Sequence, residues 1–121
     1  MKAGRRTTGG KYKRPTKRKL TGRQGQTRTV KLGEKKTKLL IGRGGTAKLV
    51  SFSGEEANVV SKGKSKKTKI KTVLETPSNT FLARQNVLVK GAIIETELGK
   101  ARITNRPSQE GNIQAKLLPS D

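Results

Sequence analysis

Cysteine and histidine are both absent from the 121-residue chain. Their absence excludes disulfides, zinc fingers, thiol nucleophiles and imidazole acid–base catalysis. With no disulfide to maintain, the compartment is unconstrained and an intracellular location is the default. Aromatic residues are nearly missing too, with only Tyr12, Phe52 and Phe81 present. A wide stacking platform for single-stranded bases therefore cannot be built. No apolar run approaches the roughly 18 residues that a membrane span needs. No apolar region follows the basic start, which argues against a secretory signal. A mitochondrial presequence would want an amphipathic helix, and Gly9, Gly10 and Pro15 argue against one. Acids are scarce as well: 8 Asp and Glu stand against 29 Lys and Arg, for a net charge of +21.

A charge of that size opposes compaction and collects polyanions, so the partner classes are nucleic acid, an acidic membrane surface or acidic proteins. Its distribution is uneven. Residues 1–38 carry a net +14, residues 39–74 carry +6 and residues 75–121 only +1. Residues 4–25, "GRRTTGGKYKRPTKRKLTGRQG", hold only two sizeable apolar side chains, Tyr12 and Leu20. That stretch cannot build a core. The expected organisation is a basic RNA-binding arm over residues 1–26 attached to a core over 27–121. Residues 1 to about 24 are expected to be disordered in the free protein and to order on RNA, where many phosphates offset the lost entropy.

From Thr27 onward the pattern is short segments of period two. "TRTVKL", "KKTKLLIGR", "TAKLVSF", "ANVV" and "KTKIKTVLE" come first, and "FLARQNVLV", "AIIETEL", "ARITN" and "NIQAKLL" follow. Turn residues separate them about every ten positions, so the fold class is all-β, a single small antiparallel β-barrel or sandwich. No window supports a helix beyond about two turns. The leading core candidates are Val30, Leu40, Val50, Phe52, Ile70, Leu74, Phe81, Val89, Ile94, Ile103, Ile113 and Leu117. In "KTKIKTVLE" the alternation puts Ile70, Thr72 and Leu74 on one side. The lysine-rich stretch near 61–69 is expected to be a solvated loop leading into that strand. Six lysines in ten residues are more than solubility requires, so a second anion-contact site is favoured there.

"GRGGTAK" (42–48) lacks the Gly-Lys-Ser/Thr ending of a phosphate loop and no helix pattern follows it. It reads instead as a hairpin turn in which Gly44 and Gly45 take positive φ, with Arg43 and Lys48 placed to meet a backbone phosphate. Glu95 and Glu97 are two apart and would share a strand face. With no further acid, histidine or nucleophile nearby, they read as a solvated face, and no catalytic site is predicted. The scarcity of aromatics leaves phosphates and 2′-hydroxyls of folded RNA as the expected target, read through shape. Within the arm, Tyr12 alone is placed to stack on a base or sugar.

"GAIIETELGKARITNRPSQEGNIQAKLL" (91–118) resembles the C-terminal signature of the eight-e family of small-subunit ribosomal proteins of archaea and eukaryotes. That signature runs KGAIIET, then GxARVTSRPGQDG, then a closing apolar strand. "GRRTTGGKYK" (4–13) is similar to the family's N-terminal TGG motif, and "IGRGGTAK" (41–48) to its internal RGGN-basic motif. The chain departs from the pattern at Ala3, at Thr46 and in "RPSQEG". Its compact length is similar to that of archaeal members.

The resemblance implies a structural role in the small ribosomal subunit, bound to ribosomal RNA beside neighbouring ribosomal proteins, monomeric there and cytoplasmic. It implies no enzyme activity, cofactor, metal, membrane or small-molecule substrate. The residues expected to contact RNA are Arg5, Arg6, Lys11, Tyr12, Lys13, Arg14, Lys17, Arg18, Lys19 and Arg23 in the arm, with Arg28 at its junction. In the core they are Arg43 and Lys48; Lys62, Lys64, Lys66 and Lys67; and Arg102 and Arg106. The competing reading is a nucleoid protein that compacts DNA with the same arm.

Overall fold

In an up-and-down meander each strand reverses the last, so with five strands the first and fifth run the same way. Closure of such a sheet requires one parallel pair. The computed structural model, which describes residues 4–12, 19, 22 and 27–119, shows this arrangement. Strands β4 (Glu56–Ser61), β5 (Lys64–Glu75), β6 (Ile93–Thr96), β7 (Gly99–Ile103) and β8 (Gln114–Leu117) form a closed barrel. Successive strands pair antiparallel, and β8 returns to β4 in parallel with Val59 opposite Ala115. A barrel of so few strands has a narrow bore. Three alanines help fit the bore: Ala57, Ala101 and Ala115 pack with Val59, Ile94 and Ile103, all at most 1% exposed.

The stretch expected as a loop near 61–69 is strand on both sides of a two-residue turn. Lys62 and Gly63 both take positive φ, 45° and 79°. Two left-handed residues match the twist of the flanking strands and close the β4–β5 hairpin tightly. Local composition suggested solvated coil, because alternation there is between lysine and small polar residues rather than apolar ones.

β5 also resets its own phase. Thr68 and Ile70 point inward, the pairing with β6 slips between Ile70 and Thr72, and Val73 rather than Leu74 is then buried. A bulge adds one residue to one strand, so every later side chain changes face. Leu74, expected in the core, is 44% exposed. Replacing Val73 by Ala is therefore expected to cost about 1–3 kcal/mol, and Leu74→Ala well under about 1 kcal/mol. Urea unfolding of the two variants checks the order; a larger loss at Leu74 would contradict this phase.

"FLARQNVLV" is not a strand. Asn79 accepts a hydrogen bond from the Phe81 backbone N–H at 3.0 Å and caps α1 (Thr80–Arg84), a single turn. Asn86 then turns the chain at φ 51°. Phe81 consequently stands 68% exposed on the first turn, while Val87 and Leu88 are buried and Val89 is half-buried.

Outside the barrel, β1 (Lys31–Leu32), β3 (Ala47–Gly54) and β2 (Lys36–Ile41) form a second sheet in that order. Val30 fastens it to the core, its carbonyl accepting from the Leu88 N–H at 2.7 Å. On β3 the chain is covered at Val50, Ser51 and Gly54, while Phe52 faces outward and is 41% exposed despite its apolar neighbourhood in sequence. Leu40 and Leu117 are half-buried, and Ile70, Ile94, Ile103 and Ile113 are buried as expected.

Candidate nucleic-acid interface

The glycines of "GRGG" place Arg43 at the tip of the β2–β3 hairpin. Gly44 and Gly45 take φ of 72° and 76°, which a side chain would oppose. The Gly42 N–H donates to the Thr46 carbonyl at 2.6 Å, and the Thr46 hydroxyl donates to the Arg43 carbonyl at 3.2 Å. Arg43 is thus carried on a closed turn with its side chain exposed.

A second turn lies against this hairpin. Lys48 donates to Gln109 Oε1 at 3.1 Å, and the Ser51 N–H donates to the Pro107 carbonyl at 3.2 Å. Leu49 lies so close to Gly111 that a Cβ there would stand 2.4 Å from its Cδ2. The Arg106 carbonyl accepts from the N–H groups of both Gln109 and Glu110 at 3.0 Å. Asn105 holds the neck of the loop. Its Nδ2 donates to Glu110 Oε2 at 2.9 Å and to the Asn112 carbonyl at 2.7 Å, and its Oδ1 accepts from the Gln114 N–H at 3.0 Å. Arg106 is exposed beside this network. The structure therefore carries Arg43 on the tip of a hairpin whose strand β3, through Lys48, Leu49 and Ser51, packs against the braced turn that bears Arg106.

Asn105 escaped the reading of the sequence. Its only signal was position, a polar residue directly between the apolar alternation of β7 and a Pro-containing turn.

On the barrel wall, Arg102 pairs in register with Lys116 across β7 and β8. Both are exposed. Like charges directly opposite are unfavourable without a counter-anion, so the pair is a candidate anion contact. Lys116 was also missed, since "NIQAKLL" does not reveal which strand it will face.

The lysine hairpin lies elsewhere. Because β8 runs parallel to β4 and reaches Leu117 where β4 reaches Ser61, the Lys62–Gly63 turn is at the barrel end opposite Arg106. Strands of this length separate the two ends by about 20 Å. Lys67 is already engaged, its Nζ 2.5 Å from Glu56 Oε2. That hydrogen bond, with the charges of Lys67, Lys35 and Lys69, holds the Glu56 carboxyl below its ordinary range. Lys62, Lys64 and Lys66 are exposed at this far end.

In the arm, Arg5 and Lys11 face one another across a short hairpin turned at Gly9. The Arg6 guanidinium sits 5.5 Å from the centre of the Tyr12 ring, a cation–π arrangement. Lys19 and Arg28 are exposed. Lys13, Arg14, Lys17, Arg18 and Arg23 lie outside the described residues, as does most of the stretch expected to order on RNA. Glu95 and Glu97 do not share a strand face, because β6 ends at Thr96 and Glu97 begins the turn. Among the described residues no group of three or more His, Cys, Asp or Glu could hold a metal.

The family model described as ribosomal protein S8e matches residues 1–118. Several relatives carry the name small ribosomal subunit protein eS8. That of Haloarcula marismortui is 36% identical over 115 residues, covering 94% of this chain and 93% of its own. That of Sulfurisphaera tokodaii is 42% identical over 117 residues, with 94% and 91% covered. The protein of Methanoregula boonei is 46% identical over 89 residues, with 72% and 71% covered.

Proposed function

Since the chain belongs to the ribosomal protein S8e family, we propose that it is a structural constituent of the small ribosomal subunit, in the cytoplasm. The observation that carries this reading is the family match over residues 1–118. It binds ribosomal RNA through phosphates and shape, and supports assembly and translation rather than catalysing a reaction. The arm follows the RNA backbone with its many cations, while Arg43, Lys48 and Arg106 meet the RNA from fixed turns. Arg102 and Lys116 add a further phosphate contact on the barrel wall. Neighbouring subunit proteins are its other partners, and the protein is a monomer there.

An arginine held by a turn can address one phosphate or base edge at a fixed place, whereas a mobile arm lysine acts almost uniformly. Arg43→Ala and Arg106→Ala are therefore expected to weaken binding to small-subunit RNA several-fold more than binding to DNA of equal length. Filter binding of both variants on both nucleic acids checks this. Equal losses, or equal parent affinity for the two, would favour a DNA-compacting protein instead.

A further inference from the structure

The β4–β5 hairpin overhangs the barrel. β5 begins at Lys64, yet its pairing with β6 begins only at Ile70, opposite Thr96. Positions 64, 66, 68 and 70 share one side of the strand. Thr68 and Ile70 of that side are buried in the bore, so Lys64 and Lys66 continue the inward face past the end of β6. Across from them lie Leu98 in the β6–β7 turn and Leu117 at the end of β8.

The result is a cleft in two lobes of about 260 Å³ and about 600 Å³ that share Lys62, Leu98 and Leu117. Its floor is aliphatic, presented by Leu98 and Leu117. Its rim carries Lys62, Lys64, Lys66 and Lys100. Among the described residues the one salt bridge is Lys67–Glu56, so none of these four lysines forms a salt bridge there, and Lys100 stands in register with Glu95 across β6 and β7. Leu98 is 41% exposed.

Three chemistries could meet such a rim. Phosphates of an RNA duplex would satisfy the lysines but leave the apolar floor in water. An unstacked nucleobase would reach the floor, yet it would find no aromatic ring to stack on. Among the described residues Ser61 is the only neutral polar side chain lining it, and burying a base edge without partners is costly. An aliphatic side chain needs no hydrogen bond, and flanking carboxylates would pair with the four lysines. We propose that this cleft docks an acidic, leucine-bearing segment of a neighbouring protein, with leucine against Leu98 and Leu117 and its acids on Lys62, Lys64, Lys66 and Lys100. RNA then occupies the Arg43–Arg106 end and the Arg102–Lys116 wall, and protein the cleft at the opposite end. The docking itself does not depend on RNA being bound.

The test uses the full chain, labelled with ¹⁵N, titrated with a short acetylated peptide alternating Glu and Leu. A peptide of equal charge with each Leu replaced by Ser serves as control, and an RNA hairpin with one unpaired adenosine as competitor. The leucine peptide is expected to bind about tenfold more tightly than the serine peptide, shifting the amide signals of Leu98, Gly99 and Leu117. Leu98→Gln, at an exposed turn position, is expected to remove that preference while leaving the signals of the buried core in place. Lys64→Glu with Lys66→Glu is expected to weaken both peptides alike. Equal affinity for the two peptides would overturn the proposal, leaving the lysine stems as a cap on the barrel end. Displacement of the peptide by the unpaired adenosine, with the same floor signals moving, would overturn it in favour of RNA.

Discussion

Removing residues 1–24 is expected to flatten the salt dependence of RNA affinity by about 3.5 to 4.5 units in the slope of log K against log salt. The segment carries 10 of the chain's 29 basic residues and no acid. Each phosphate neutralised by a cation releases condensed counterions and adds about 0.7 to 0.9 to the slope. Half of the arm's cations in contact would give the expected change. The truncated protein should retain weaker binding through Arg43, Lys48, Arg106, Arg102 and Lys116, which stand on the barrel and its braced turns. Its selectivity for small-subunit RNA over DNA should survive better than its affinity, because the fixed arginines remain. Fluorescence anisotropy across a salt series on both proteins measures slope and selectivity together. An unchanged slope would mean that the arm does not carry the phosphate contacts. A slope that falls to zero would mean that the core carries none.

Asn105→Ala is expected to destabilise the fold by about 2–4 kcal/mol, more than most surface changes. Asn105 is 9% exposed and holds Glu110, Asn112 and Gln114 through three hydrogen bonds. Alanine leaves the Gln114 N–H and the Asn112 carbonyl without their partner in a partly buried neck, where an unmet group costs about 1–3 kcal/mol. For a domain of this size the melting temperature should fall by roughly 10–25 °C. Asn105→Asp should fail for a different reason, because it sets a second carboxylate against Glu110. Adding Glu110→Gln should then recover part of the loss, since an amide can donate where a carboxylate cannot. Binding should follow stability: once the neck is loosened, Arg106→Ala should cost less RNA affinity than it does in the parent. A melting temperature within a degree or two of the parent would show that the loop is held by Pro107 and Gly111 alone.

The two effects have different origins, and the sequence revealed them unequally. The basic, apolar-poor character of residues 1–26 was legible from composition alone, because a run of cations with glycine, proline and almost no apolar side chains offers nothing to build a core from. The all-β class, the Arg43 hairpin and the family resemblance were legible for related reasons, since alternation, glycine turns and an ordered motif are local properties of the chain. Asn105 was not legible, because its three partners become neighbours only when β8 returns to β7.

Tertiary structure also decided which side of each strand is the inside. Alternation sets a period but no phase, and the bulge at Ile70–Thr72 changes the phase through pairing with β6, so Val73 and not Leu74 fills the bore. Phe81 reads as a strand residue until Asn79 caps a helical turn that faces it to solvent. The cations were countable from the sequence, but their division between two barrel ends was not. That division follows from strand lengths and from the parallel closure of β4 on β8, which set Lys64 and Lys66 over an apolar floor and Arg106 at the far end.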